Sequence, residues 1–192
     1  MLRRRPSGVA EEQGAGDAGS AGPQPITDAR LQEGLDYWLR KAAGRPMPRR
    51  ADIDPTEIPQ LLRDVMLVDV LPAGRYRYRL VGTGNTEAQG VNATGRYLDE
   101  VVPGPEYRAQ VIGLYDECVR TRRPVYSEML FISPQHRVTE RHTKVLFMPL
   151  SEDGETVNIV MVMQVFLYID QSTRYRHFIE GRPYKEIIRA LL

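Results

Sequence analysis

At 192 residues the chain is long enough for one domain with a real core and too short for two domains of ordinary size. Lysine and arginine total 26 against 25 acids, a net charge of +1, and 42% of residues are hydrophobic, so the balance demands no anionic polymer as partner. A single cysteine, Cys118, excludes an internal disulfide framework and cannot by itself build a structural zinc site.

Residues 1 to 26 are rich in Gly, Ala, Gln and Pro and have almost no large apolar side chains, which predicts a disordered tail. The basic start is followed by no apolar run of a signal or anchor. The longest apolar run, "IVMVMQVFLYI" from Ile159 to Ile169, is broken by Gln164 and is far below spanning length. The expectation is a cytoplasmic protein with no membrane partner.

Residues 27 to 64 read as an N-terminal helix and a capping segment. Thr27 or Asp28 can cap "ARLQEGLDYWLRKAA", where Leu31, Leu35, Trp38, Leu39 and Ala42 fall at helical spacing and Gly44 and Pro46 end the pattern. In "ADIDPTEIPQLL", Asp54 precedes Pro55 and is followed three residues on by Glu57, a capping-box arrangement. Asp52 and Asp54 also admit a metal reading, but carboxylates here have nearer employment on free backbone N–H groups.

From Val65 the period changes to two. "VMLVDVL", a turn at "PAG" and "RYRYRLVGT" predict a hairpin. "GNTEAQGVNA" is too broken for a long helix, "TGRYLDEVV" reads as a short helix ending at Pro103, and "EYRAQVIGLYDECVRTRR" is the strongest helix, with Tyr107, Val111, Leu114, Tyr115, Cys118 and Val119 on one stripe. Three strands follow, "VYSEMLFI", "VTERHTKVLFMPL" and "TVNIVMVMQVFLY", the last two joined by the Asp-Gly turn of "SEDGE". Residues 169 to 192 read as an extension in which Pro183 opens a helix burying Ile187, Ile188 and Leu191. The fold class is α+β: a five-stranded antiparallel sheet with helices over one face, and helices at both ends.

This order, with "WLRKAAGRPMPRRADIDPTEIPQLL", "RYRYRLVGTG" and "TGRYLDEVV" in sequence, resembles a family of small, single-domain bacterial PAS-like proteins over about residues 30 to 168, with the PAS-like domain itself at 65 to 168. The resemblance implies a sensory or regulatory module in signal transduction that binds a small molecule between sheet and helices, pairs with itself as a homodimer, or meets a separate signalling protein. It supplies no established ligand, so the cofactor stays unknown. Flavin-binding members carry a reactive cysteine in an Asn-Cys-Arg motif, and "TGRYLDEVV" has none; haem-binding members often use a histidine in the longer helix, and "EYRAQVIGLYDECVRTRR" has none. Both cofactors are disfavoured by those routes. Cys118, on an apolar stripe, reads as a small buried hydrophobe.

His136 and His142 stand six residues apart, about 20 Å on a straight strand at roughly 3.3 Å per residue, so they cannot share an ion. His177 lies in the polar C-terminal stretch. Ser127, Glu128 and these histidines match no catalytic motif, so the chain is read as no enzyme. Alternation on a strand sends Arg75, Arg77 and Arg79 to one face and Tyr76 and Tyr78 to the other, which separates the groups that a nucleic-acid platform needs together. "GTGN" has neither Walker nor dinucleotide spacing.

Binding remains. The candidate pocket residues are Tyr78, Leu80, Tyr97, Leu98, Val111, Tyr115, Leu146, Met148, Val160 and Val162, each of which can equally be core packing. Both faces of the last strands are apolar, so their inward parity stays open. The second face needs a cover too, and Leu35, Trp38 and Leu39 of the first helix can supply it within the chain or across a dimer. The alternative is a ligand-free interaction module. In either case output runs through another protein or through self-association, with the strand's arginines meeting acids of the N-terminal helix or of a partner.

Overall fold

The computed structural model describes residues 26–132, 140–168 and 184–192. Residues 1–25 of the expected tail, His136, His177 and Pro183 lie outside them, while Ile26, the last residue assigned to the tail, packs against the core.

Helix α1 (Ala29–Ala42) begins where Asp28 Oδ1 accepts from the Arg30 N–H at 3.0 Å. It stops at Ala43, which is left-handed at φ 49°, one residue before the glycine expected to end it. Arg45 reaches back to the carbonyls of Ala42 and Lys41, at 3.0 and 2.7 Å, and satisfies the open end. Three single turns follow, Arg50–Asp52, Pro55–Glu57 and Leu62–Asp64. Asp54 caps the second through Thr56 N at 2.9 Å, with proline in first place. Glu57 closes no box with it and pairs instead with Lys41.

Strands β1 (Val65–Leu71) and β2 (Arg75–Val81) form the predicted hairpin through Pro72–Gly74. Helices α2 (Thr83–Gln89), α3 (Leu98–Val101) and α4 (Pro105–Thr121) come next, then β3 (Val125–Ile132), β4 (Glu140–Leu150) and β5 (Ile159–Tyr168). A further strand, β6 (Tyr184–Leu191), stands where the sequence suggested a helix. All neighbours run antiparallel in the order β2-β1-β5-β4-β3-β6. The sheet therefore has six strands.

The reason for the C-terminal correction is local. Eight residues with apolar positions at 187, 188 and 191 satisfy either period, and the β-branched pair Ile187-Ile188 fits a strand beside the open edge of β3. An extra residue, Ile187, bulges between Glu186 and Ile188, which face Met129 and Glu128. Glu186 and Arg189 thereby reach one face, where Arg189 Nε donates to Glu186 at 2.7 Å and Nη1 to Glu117 of α4 at 3.2 Å.

Register settles which residues share a face. Met66, Val162 and Phe147 stand side by side across β1, β5 and β4, and this inner face carries α2, α3 and α4. The alternate residues, with Leu146 opposite Met163, turn to α1. Gly34 of α1 lies so near β5 that an added Cβ would overlap Met163 Sδ. Trp38 is 3% exposed, and its Nε1 donates to the Pro149 carbonyl at 2.9 Å. The cover of the second face thus comes from the same chain. No described helix is long and apolar enough to cross a membrane.

Candidate functional site

Between the inner face and α2 to α4 lies a cavity of about 140 Å³. The sheet contributes Met66, Tyr78, Met129, Val145, Phe147, Val162, Gln164 and Phe166. The helices and their connections contribute Gln89, Val91, Val101, Val102, Pro103, Tyr107, Val111 and Tyr115. Among the described residues no charged side chain lines it. Tyr107, Val111 and Tyr115 come from one stripe of α4 at spacings of four, so a single helix places three of the walls. Tyr115 is held by its neighbours: its ring lies 4.8 Å from that of Tyr76 and meets Phe147 edge-on at 4.9 Å.

Burial governs the hydroxyls here. It pushes Tyr78 up to about 12 and raises Tyr107 and Tyr115 as well, with Tyr78 adding to both. They stay protonated donors at any physiological pH.

Of the candidate pocket residues, Tyr78, Val111, Tyr115 and Val162 line this cavity and the other six do not. Leu80 is 46% exposed, because the register slips between Leu67 and Val68: Leu67 faces Leu80 but Val68 faces Tyr78, leaving Arg79 as the extra residue. That bulge turns Leu80 to the outer face. Tyr97 sits at the edge of β2, bridged to Arg77, with the Arg75 guanidinium 3.5 Å over its ring. Leu98 is buried away from the cavity. Leu146 and Met148 have the parity of the α1 face, and Val160 has the inner parity but lies further along β5, opposite Val68 and Pro149. The reading of the sequence passed over Met66, Met129, Val145, Phe147, Gln164 and Phe166. Steps of two from Val162 reach Gln164 and Phe166, a signal that was present once the parity was fixed.

The alternating strand resolves in the same terms. Tyr76 and Tyr78 are buried on the inner face, and the Tyr76 hydroxyl donates to Asp116 at 2.6 Å. Arg77 and Arg79 flank Asp69 of β1 on the other face, at 2.9 and 2.6 Å, while Arg75 meets Asp99 and Glu100 of α3. The arginines' acids are therefore on β1 and α3, and not on the N-terminal helix. Gly82 has a separate reason: an added Cβ would stand 2.5 Å from the carbonyl oxygens of Leu62 and Arg63. Only glycine lets β2 leave so close to that turn.

On the face toward α1, Glu128 gathers groups that the sequence offered singly. His142 Nε2 is 2.6 Å from its carboxylate, the Tyr126 hydroxyl donates at 3.1 Å, and Lys144 Nζ lies at 3.9 Å. Lys144 also donates to Thr27 just before α1, so the cluster fastens the start of that helix to the sheet. Ser127 points to the inner side, buried. Asp52 and Asp54 serve backbone N–H groups, at 2.7 and 2.9 Å. Cys118 is fully buried in α4 and does not line the cavity; burial, then the charge of Glu117, pushes its thiol up. Among the described residues no group of three or more metal-ligating side chains comes together. Of the proposed dimer residues, Trp38 and Leu35 pack on the chain's own core and only Leu39 stays exposed, at 53%.

Residues 27–164 match the sequence model of the PAS domain. No curated protein matches the chain. Among solved structures, a fungal LOV domain photoreceptor described as integrating blue light and oxidative stress matches at 16% identity and a TM-score of 0.40, over 62% of this chain and 94% of that one.

Proposed function

The chain belongs to the PAS domain family, and from that premise we propose that it is a sensory module whose inner-face cavity binds a small molecule and whose occupancy is read by a partner protein or a second copy. One observation carries the reading: the cavity is walled by apolar and aromatic side chains with a few uncharged polar groups, the make-up of a small-molecule site. Its size suits one small ring and not a multi-ring cofactor, since an apolar cavity of about 150 Å³ takes benzene.

Occupancy has a route outward. The walls from α4 and β5 belong to elements that also hold the protein's surface: α4 meets β6 through Glu117 and Arg189, and β5 carries Met163 against α1. The reading assigns the chain no catalytic step. Self-association through α1 has less support, because Trp38 is spent on the chain's own sheet.

Native and denaturing mass spectrometry of the purified protein, followed by a thermal-shift screen of small neutral molecules, tests the proposal. A retained mass or a rise in melting temperature, abolished in Val162→Trp, is expected. A protein without added mass whose melting temperature responds to no compound overturns it.

A further inference from the structure

Five tyrosines are deeply buried among the described residues, and their hydroxyls divide into two groups. Tyr37 accepts from Asp54 N at 2.8 Å, Tyr76 donates to Asp116 at 2.6 Å and Tyr126 donates to Glu128 at 3.1 Å. Tyr78 and Tyr115 have no hydrogen-bond partner for their hydroxyls among the described residues, and these are the two that line the cavity. Neither hydroxyl is sealed off as Asn85 Oδ1, Gln110 Nε2 and Ser127 Oγ are, so both open onto the cavity, where a bound molecule can meet them. Three of these tyrosines are paired within the protein, and the two whose hydroxyls are not paired among the described residues share one cavity.

Building on the ligand-binding reading above, we propose that the cavity takes a neutral molecule of about one six-membered ring that presents a carbonyl-type acceptor to the Tyr78 and Tyr115 hydroxyls. Two unmet O–H donors ask for an oxygen with two lone pairs, which a carbonyl has. Charge is disfavoured from the other side: with no charged side chain among the described residues of the wall, a carboxylate or ammonium would lose its hydration with no counter-charge there to replace it. The aromatic rings of Phe147, Tyr107 and Tyr115 then supply the flat walls that a ring fills.

Titrations followed by NMR amide shifts of the full chain use three probes of one shape: cyclohexanone, methylenecyclohexane, which replaces the carbonyl oxygen by CH₂, and cyclohexanecarboxylate. Tyr78→Phe is expected to weaken cyclohexanone by about fivefold and to leave methylenecyclohexane within about twofold, since one neutral hydrogen bond is lost from one complex only. The carboxylate is expected to bind at least about tenfold more weakly than the ketone. Tyr115→Phe repeats the comparison and decides it where Tyr78→Phe does not fold. A ketone that the variants leave unchanged, equal losses for both neutral probes, or a carboxylate that matches the ketone overturns this inference alone. Failure of all three probes to bind the folded wild-type protein overturns the ligand-binding reading with it.

Discussion

The two faces of the sheet are both apolar in sequence and are used in opposite ways. On the outer face α1 comes so close that a Cβ added at Gly34 would displace the Met163 side chain, and an indole is seated with its N–H on the Pro149 carbonyl. Polar residues there are paired, with Asp69 between two arginines and Glu128 among His142, Lys144 and Tyr126. On the inner face three helices span the sheet but leave about 140 Å³ between them, onto which the Tyr78 and Tyr115 hydroxyls open without a partner among the described residues. A dense face holds the fold together, and on the proposed reading volume is kept where a ligand would exchange.

Trp38→Ala attacks the dense face where it is most committed. It removes a buried aromatic and leaves the Pro149 carbonyl without its donor, so a loss of about 3–5 kcal/mol in urea denaturation is expected; a loss near that of a surface change would mean that α1 is dispensable. A sharper comparison adds one methylene to each face. Val165→Leu, buried with the outer parity, is expected to cost about 1–3 kcal/mol by overpacking. Val162→Leu, three residues earlier, grows into the cavity and should stay within about 0.5 kcal/mol of wild type. Equal losses at the two sites would erase the distinction between the faces.

Leu80→Lys should also stay within about 0.5 kcal/mol, because the β2 bulge places that side chain in solvent. A large loss would return Leu80 to the interior. The smallest effect is in the β4–β5 turn, which belongs to neither face. Asp153 accepts from the N–H groups of Thr156 and Glu155 and from the Ser151 hydroxyl, and these hold its carboxyl below the usual carboxylate range. Its folded form ionises at lower pH than its unfolded form, so its contribution is complete above about pH 3.9 and is lost as the pH falls further. Asp153→Asn should therefore unfold at lower urea than wild type at pH 7, with the gap narrowing only below about pH 3.9. A gap that stays constant to pH 2 would contradict the assignment.

Much of the fold was legible because the local signals were consistent. The Asp28 and Asp54 caps, the "PAG" connection and the long α4 stripe all lie where their sequences put them. What escaped depended on contacts far away in the chain. The parity of β4 and β5 is invisible when both faces are apolar, and only the docking of α1 through Gly34 reveals it; without it Leu146 and Met148 looked as suitable for the cavity as Phe147 and Val162. Leu80 failed for a different reason, since one extra residue in a strand reverses every later side chain and leaves no trace in composition. Gln164 was visible only as an interruption of an apolar run, although it stands on the cavity wall.

The bulges at Arg79 and Ile187 have one more consequence, for they sit on the first and last strands of the sheet. The β2 side is further occupied by Gly95 and Arg96, which exchange backbone bonds with Tyr78, and by Tyr97, bridged to Arg77. On the β6 side the outermost residue, Ile187, stands out of line with its neighbours and is 43% exposed. Each margin is hemmed by an irregularity that a straight ladder from another molecule cannot follow, which guards an apolar sheet against growing into aggregates.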